Sequence, residues 1–244
     1  GIDFVGEVDV NGTFATGTDG IRFIPQISNG HPFVHTESLT SDIFLLDIGD
    51  ENIEFVAEEK GAWILRTNVA NEVGYRAAIR LSAKSHLDGY IIDCGNSTFS
   101  AGIYATAAGC TTTRGTIIGC NREFYGAVRD ITNTITLDHA TIINNAYIRG
   151  CGPITNSIIT NTALSGQDGL ADGSNNNAYD VAQADIKYIE ASPVADANSV
   201  FNIVVGDELI NSALGGYDIK AGSVLAALAS DGGPIDAYSA VLSG

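Results

Sequence analysis

Four residues with binding chemistry recur at matching positions along the middle of this chain. Each follows an aliphatic residue in a short alternating segment, and those aliphatic residues are 24, 25 and 20 positions apart: Arg80, Tyr104, Arg129 and Arg149. Tyrosine stacks on sugar rings and arginine binds carboxylates through paired hydrogen bonds, so a stripe of these side chains suits glycan recognition. The same residue types are enriched at subunit interfaces, and arginine stems also cover apolar surface on plain solvated faces. The pattern predicts a binding stripe for a glycan or a subunit, with a solvated face as the alternative.

Residues with catalytic chemistry are sparse. The repeating middle of the chain holds six acids: Glu72, Asp88, Asp93, Glu123, Asp130 and Asp138. Glycoside hydrolysis needs two carboxyls within roughly 5–10 Å, and Asp93 has no acid at the equivalent place in the neighbouring repeats. We expect Asp130 to form an ion pair or hold a turn, and His139 to be a turn residue rather than a general base. No nucleophile elbow, P-loop or dinucleotide fingerprint is present. We therefore predict no catalytic residue and no cofactor, and keep an enzymatic role as an alternative.

The cysteines and histidines do not predict a metal site. There is no Cys-x-x-Cys pair, and the four histidines lie at no zinc-like spacing from the four cysteines: Cys94, Cys110, Cys120 and Cys151. Cys94 and Cys120 occupy equivalent places in successive repeats. They are expected either to stack as small apolar thiols or to form a disulfide, since stacked Cα atoms fall within bonding range.

The elements that would position these residues are short repeated strands. Four look-alike segments start 26, 25 and 16 residues apart: 90–94, 116–120, 141–145 and 157–161. A period in the twenties is typical of a solenoid, and short β-branched segments between Gly, Asn and Thr favour strands over helices. We predict an all-β, right-handed parallel β-helix. One inward ladder is expected to contain Ile91, Ile117, Ile142 and Ile158, or their isoleucine neighbours.

Charge and composition suggest three parts of the chain. Residues 1–60 are an acidic β-rich region with a net charge of −10, residues 61–149 carry +2, and residues 150–244 carry −9, which sum to the −17 of the whole chain. The predicted stack covers residues 61–164, and residues 165–244 are predicted to form C-terminal coils and a cap. Nucleic acid is an unfavourable partner for such an acidic protein. No apolar run approaches the roughly 20 residues that span a bilayer, so no membrane insertion is expected.

The C-terminal region resembles the closing segment of many extracellular and phage β-helix proteins. Those proteins end in an aromatic-x-Leu-x-x-Gly-Ser motif followed by an Asp-Ile-Gly-Ala-Tyr-like motif, and this chain has similar segments at 217–223 and 231–238. Ile219 replaces the leucine of the first motif, and Asp236 stands where a glycine is usual in the second. The chain thereby resembles the pectin-lyase-like superfamily of right-handed β-helices over about residues 40–240. That superfamily contains polysaccharide lyases and hydrolases, phage tailspikes, adhesins and virion accessory proteins.

The resemblance, together with the absence of a recognisable catalytic motif, implies a structural protein. The chain contains no methionine, as expected of a processed product or a piece of a longer chain. The first hypothesis is a virion surface protein (phage head decoration, fibre or spike), forming a homotrimer and contacting other virion proteins or a surface polysaccharide. The second is a secreted or cell-surface glycan-binding module or adhesin. The third is a polysaccharide lyase or hydrolase.

Overall fold

The fold is a parallel β-helix built from three sheets. The computed structural model describes residues 3–4, 8–10, 21–23, 33–37, 44–49, 53–56, 63–67, 77–95, 101–121, 126–164, 171, 173–186, 198–211 and 217–235. Within these ranges the chain passes repeatedly from sheet 1 to sheet 2 to sheet 3, and equivalent strands of successive coils pair in parallel. The all-β solenoid predicted from the repeats is confirmed.

Each sheet collects at most one strand from each coil, and the three sheets contain eight, seven and six strands. Sheet 1 contains β1 (Asp3–Phe4), β4 (Phe33–Glu37), β7 (Trp63–Thr67), β10 (Tyr90–Asp93), β13 (Thr116–Ile118), β16 (Thr141–Ile143), β19 (Ile158–Thr160) and β21 (Ala178–Tyr179). Sheet 2 contains β2 (Val8–Val10), β5 (Phe44–Ile48), β8 (Ala77–Leu81), β11 (Ala101–Ala105), β14 (Val128–Asp130), β17 (Tyr147–Arg149) and β20 (Ala163–Leu164). Sheet 3 contains β3 (Ile21–Phe23), β6 (Ile53–Val56), β9 (Ser85–Asp88), β12 (Thr111–Thr113), β15 (Thr136–Asp138) and β18 (Ile154–Thr155).

The interior is filled by ladders of aliphatic side chains. Side chains alternate between the two faces of a strand, so each strand sends every second residue inward. Ile79, Ile103, Val128 and Ile148 are in register on sheet 2 and are all fully buried. The largest buried side chain, Trp63, packs edge-to-face against Tyr90, one coil further on. Burial of these ladders is the main driving force for stacking the coils.

The isoleucine ladder of sheet 1 uses the neighbouring isoleucine, which the sequence expectation allowed, at two of its four positions. Ile117 and Ile142 are paired as predicted, but their partners are Ile92 and Ile159 rather than Ile91 and Ile158. Ile91 and Ile158 lie in the adjacent ladder, which also contains the threonines that begin β13 and β16. The register is set at the preceding corner, where the Gly89 N–H donates to the Thr113 carbonyl at 3.1 Å. Two consecutive isoleucines place one aliphatic side chain on each face of the strand. The sequence pattern is therefore the same whether the first or the second isoleucine points inward.

The C-terminal part packs against the outer side of sheet 1. Its elements are a 3-10 helix (Gln183–Asp185), α1 (Val205–Glu208), the antiparallel pair β22 (Leu209–Asn211) and β23 (Tyr217–Ile219), and a second 3-10 helix (Val224–Ala227). An apolar cluster joins Ile143 and Ile158 of sheet 1 to Leu209, Ile219 and Leu225. Val200 also continues sheet 1 beyond β21 by bridging to Ala178, and Phe201 stacks on Tyr179. Of the two resemblance motifs, the first contains β23, and the second lies partly outside the described residues.

The acidic N-terminal part contributes strands to the same three sheets. β1 to β6 pair in parallel with β4 to β9. The domain boundaries at residues 60 and 164 remain predictions. In the described part of the chain, no helix combines the length and the apolar character needed to traverse a bilayer.

Candidate functional sites: a charged column and a polar corner

The four binding candidates lie in one column on the outer face of sheet 2. Arg80 pairs in register with Tyr104, Tyr104 with Arg129, and Arg129 with Arg149. Neighbouring strands are about 4.8 Å apart, so the four positions extend over about 14 Å. Each of the four is half-buried, and Ile79, Ile103, Val128 and Ile148 beside them point into the core. The structure thus brings all four together, and we call them the Arg/Tyr column.

Asp47 precedes the column by one coil and binds its first arginine. Asp47 is in register with Arg80, and the Arg80 Nε donates to the Asp47 Oδ1 at 2.8 Å while Arg80 NH2 bonds Oδ2. Asp47 is 2% exposed, so this two-point ion pair balances the charge of Arg80 at the base of the column. Arg129 and Arg149 lie at the other end of the column. Sequence reasoning missed Asp47 because its coil lies outside the repeating segments, although an acid within the apolar run Phe44–Ile48 was a usable signal.

A second group of polar residues lies at the corner between sheet 3 and sheet 1. One residue per coil has a left-handed backbone there, with φ of 71°, 49°, 50°, 51° and 54°: Gly89, Arg114, His139, Asn156 and Asn176. Successive corners are joined by backbone hydrogen bonds, such as Arg114 N–H to the Asp138 carbonyl at 3.0 Å. Left-handed backbone costs about 1–2 kcal/mol for a residue with a Cβ, and asparagine and histidine tolerate it better than arginine.

Two carboxylates at the end of sheet 3 organise this corner. Asp88 accepts hydrogen bonds from Thr113 Oγ1 at 2.8 Å and Arg114 Nε at 2.7 Å, and Arg114 NH2 bonds its second oxygen. Asp138 accepts from Thr155 Oγ1 and Asn156 Nδ2, both at 2.7 Å, and its Oδ2 lies 2.9 Å from His139 Nδ1. We call these seven residues the polar corner: Asp88, Thr113, Arg114, Asp138, His139, Thr155 and Asn156.

The acidity of Asp138 reflects this arrangement. Partial burial would raise the pKa of Asp138, but hydrogen bonds from His139, Thr155 and Asn156, together with the charge of His139, lower the pKa to about 2. The carboxylate therefore stays ionised at neutral pH and holds the imidazole ring. His139 is a turn residue, as the sequence indicated, and its pairing with Asp138 is an addition. Arg114 was missed at this place because its left-handed backbone cannot be read from its residue type.

Asp130 is a turn acid in the structure. It is fully buried, and its carboxylate accepts from the backbone N–H groups of Thr132, Thr134 and Ile135 and from the Thr132 hydroxyl at 2.6–2.8 Å. All of these donors belong to the turn that leads into sheet 3. A carboxylate whose oxygens are engaged in this way stabilises the turn.

The corner between sheet 1 and sheet 2 is held by a disulfide and a buried amide. Cys94 and Cys120 are bonded, with Cα atoms 5.0 Å apart. In the next coil, Asn145 Oδ1 accepts from the Cys120 N–H at 2.9 Å, and its Nδ2 donates to the carbonyls of Ile117 and Ile143 at 3.0 and 2.9 Å. We call these three residues, Cys94, Cys120 and Asn145, the disulfide corner. The disulfide is one of the two states that the sequence allowed.

The other two cysteines are buried thiols. Burial raises the pKa of both Cys110 and Cys151, and the nearby Asp130 adds to the effect. Thiols of raised pKa are poor nucleophiles and poor metal ligands. Among the described residues, no group of three or more His, Cys, Asp or Glu side chains is placed to hold a metal ion.

Comparisons with known proteins add no relative. No protein-family model matches the chain, and no curated protein or solved structure matches it significantly. The fold and the geometry of the column and the two corners are therefore the basis for any functional proposal.

Proposed function

We propose that this protein is a structural and recognition protein of a virion surface, such as a phage head decoration, fibre or spike, and a member of the pectin-lyase-like superfamily. The observation that carries the proposal is the Arg/Tyr column, a half-exposed stripe of three arginines and a tyrosine in a chain with a net charge of −17. A stack of parallel coils presents such a stripe on a regular, extended surface, as solenoids do when they bind long partners. Fold alone does not select this function.

The disulfide supports a location outside the reducing cytosol. Disulfides persist on virion and cell surfaces and in secreted proteins, and are rare in cytosolic ones. The Cys94–Cys120 bond joins neighbouring coils in the middle of the stack. A virion surface and an extracellular location are both consistent with it.

The proposed partners are further copies of the chain and an anionic surface polysaccharide. In a trimer with parallel stacks and columns facing the threefold axis, equal levels of the three columns would approach, so Arg129 would face Arg129. Like charges at one level repel unless an anion lies between them. The trimer and the glycan thus support each other: a chain of carboxylated sugars along the axis would place its carboxylates between the arginines of the three columns and present rings to Tyr104.

Light scattering with and without an acidic glycan tests the proposal. We expect a species with a mass near three times 25.4 kDa. The fraction of the protein in this trimer should rise when hexagalacturonate is added, and the glycan-bound trimer should dissociate when the salt concentration is raised. Arg129→Ala should weaken glycan binding and assembly, whereas Lys84→Ala, which removes an exposed positive charge away from the column, should change neither. A monomer under all conditions, without affinity for hexagalacturonate, would refute the proposal.

A secreted or cell-surface glycan-binding module is the second candidate. Tyr104 favours it, because a half-buried aromatic between two arginines is a suitable platform for a sugar ring without any second subunit. Tight hexagalacturonate binding by a monomer would select this candidate over the virion trimer. Loss of assembly on Arg129→Ala with unchanged glycan affinity would assign the column to a subunit interface.

A further inference from the structure

The disulfide between Cys94 and Cys120 is inaccessible to solvent in the folded chain. Both cysteines are fully buried, and the Cys94 Sγ lies 3.7 Å from the Ala101 carbonyl oxygen of its own coil. A disulfide is formed, broken or exchanged when a thiolate attacks one of the sulfurs, so these reactions depend on access to the sulfurs. An external thiol therefore cannot reach this bond while the coils remain stacked.

The next coil is fastened to both backbone groups of Cys120. The Cys120 N–H donates to Asn145 Oδ1 at 2.9 Å, and the Cys120 carbonyl accepts from the Ala146 N–H at 3.1 Å. Asn145 is itself only 4% exposed, and its backbone N–H donates to Thr162 Oγ1 of the following coil at 3.3 Å. The coil that contains Asn145 must therefore separate from Cys120 before a reagent reaches the sulfurs from this side.

The other two cysteines of the chain are poorly placed to reopen the bond. Cys110 directly precedes β12 and Cys151 follows β17, so both lie at the corner between sheets 2 and 3 rather than at the disulfide corner. Both are buried, and burial raises the pKa of each thiol. Internal exchange needs a thiolate at the disulfide, and it is therefore suppressed as well.

The same burial restricts when the bond can form. The coils of Cys94 and Cys120 pair directly through β10 and β13, and this pairing does not involve the coil of Asn145. In a solenoid each coil contacts its neighbours, and folding propagates from coil to coil. The two cysteines thus meet in a pair of coils whose second member has not yet been covered.

We propose that the Cys94–Cys120 disulfide is a folding latch, which a small disulfide oxidant closes before the coil of Asn145 stacks on Cys120 and which that coil then seals against exchange. One cysteine thiolate attacks the S–S bond of the oxidant and releases its first thiol, and the second cysteine thiolate then displaces the other. Two electrons pass to the oxidant, and the two cysteine protons end on its two thiols. The latch is independent of the function proposed for the Arg/Tyr column.

Reduction of the intact protein by dithiothreitol tests the seal. Alkylation and mass spectrometry count the free thiols over time, in native buffer and in urea, at several dithiothreitol concentrations. We expect reduction to be at least about 1,000-fold slower in the folded protein than in the unfolded chain, and to become independent of dithiothreitol at high concentration, because opening of the stack then limits the rate. At low dithiothreitol concentration, Asn145→Ala should speed reduction about 100-fold. Asn144→Gly is the matched control and should leave the rate unchanged.

Oxidation of the reduced protein tests the order of the two events. One sample is refolded with all four cysteines reduced and then given glutathione disulfide in native buffer, and a second is refolded from urea with the oxidant present. We expect peptide mapping to find the Cys94–Cys120 bond in the second sample and not in the first.

Three results would overturn the proposal. They are rapid oxidation of the folded, reduced protein, native reduction as fast as that of the unfolded chain, and four free thiols in the purified protein. All three measurements use the wild-type chain, so they decide the question even if Asn145→Ala does not fold. If the reduced chain does not refold, the kinetics of reduction decide it alone.

Discussion

Two corners of the coil turn on a left-handed residue, yet they are built from different chemistry. The corner after sheet 1 has four such residues in successive coils: Gly95, Gly119, Asn144 and Asn161. The disulfide and the amide of Asn145 lie beside them and are buried. The corner after sheet 3 places Arg114 and His139 in the same backbone conformation, beside carboxylates that differ in exposure, 8% for Asp88 and 38% for Asp138. The same backbone requirement is thus met by glycine and asparagine beside a buried disulfide and a buried amide at the first corner. At the second corner it is met in two successive coils by Arg114 and His139.

The difference shows that a solenoid can satisfy the polar groups of its corners either inside the stack or in contact with water. At the disulfide corner, groups point into the stack, where an unsatisfied polar atom is costly and a covalent bond restrains the unfolded chain. At the polar corner, charges lie in partial contact with water, where ion pairs add little to stability. We therefore expect substitutions at the first corner to be far more damaging to the fold than those at the second.

The largest effect is expected for Asn145→Ala. This change leaves the Cys120 N–H and the carbonyls of Ile117 and Ile143 without the side-chain partner they have now. Three buried groups losing that partner should lower the free energy of unfolding by about 4 kcal/mol, measured by urea denaturation. Asn144→Gly is the control, because glycine accepts the left-handed backbone and only an exposed bond from Asn161 is lost. A loss below about 1 kcal/mol in Asn145→Ala would contradict the assigned role.

Removing the disulfide should have the next largest effect. The double change Cys94→Ala and Cys120→Ala releases a bond that spans 26 residues, and should cost about 3 kcal/mol. Dithiothreitol should lower the melting temperature of the wild-type protein but not that of the variant. Alkylation of the unfolded, unreduced chain should modify two cysteines, Cys110 and Cys151. Modification of all four would show that the bond is absent.

A smaller, pH-dependent effect is expected at the polar corner. The folded-state pKa of Asp138 is about 2, below the 3.8 of an unperturbed group. A lowered folded pKa contributes stability above the unfolded pKa, and this contribution is lost as the pH falls from about 4 through about 2. Because the side chain is 38% exposed, solvent screening limits the contribution to about 1 kcal/mol. Urea denaturation across this range should show the loss in wild type and a flatter profile in Asp138→Asn.

The smallest effect on stability is expected for Arg114→Asn. Relief of left-handed strain, about 1 kcal/mol, and a bond from the new asparagine to the carboxylate, as Asn156 makes to Asp138, should offset the loss of the ion pair to Asp88, which is 8% exposed. The net change in the free energy of unfolding should stay within about 0.5 kcal/mol. Arg149→Asn, on an extended strand, gains no such relief and serves as the comparison. A loss above about 2 kcal/mol in Arg114→Asn would show that the turn depends on the arginine and would remove the contrast between the corners.

Several features of the molecule could be predicted from the residues alone. The period of the aliphatic segments indicated stacked strands, because each coil must bury one face against its neighbours. The same period placed Arg80, Tyr104 and Arg129 in one column, since equal positions in successive coils lie above one another. The function of the column stays a prediction. The disulfide was left open, because spacing shows that Cys94 and Cys120 can meet but not that they bond.

The sequence by itself determined the coil and the order of its outward residues, because stacking requires only a repeating pattern of apolar and polar positions. The tertiary structure decided the register of the isoleucine ladder, since backbone hydrogen bonds at the corner choose between two equivalent Ile-Ile alignments. It also decided the partners of the charges. Asp47 reaches Arg80 across 33 residues, and Arg114 reaches Asp88 from a left-handed turn. Such contacts depend on where each corner bends the chain. The backbone conformation of a corner residue cannot be predicted from its residue type alone.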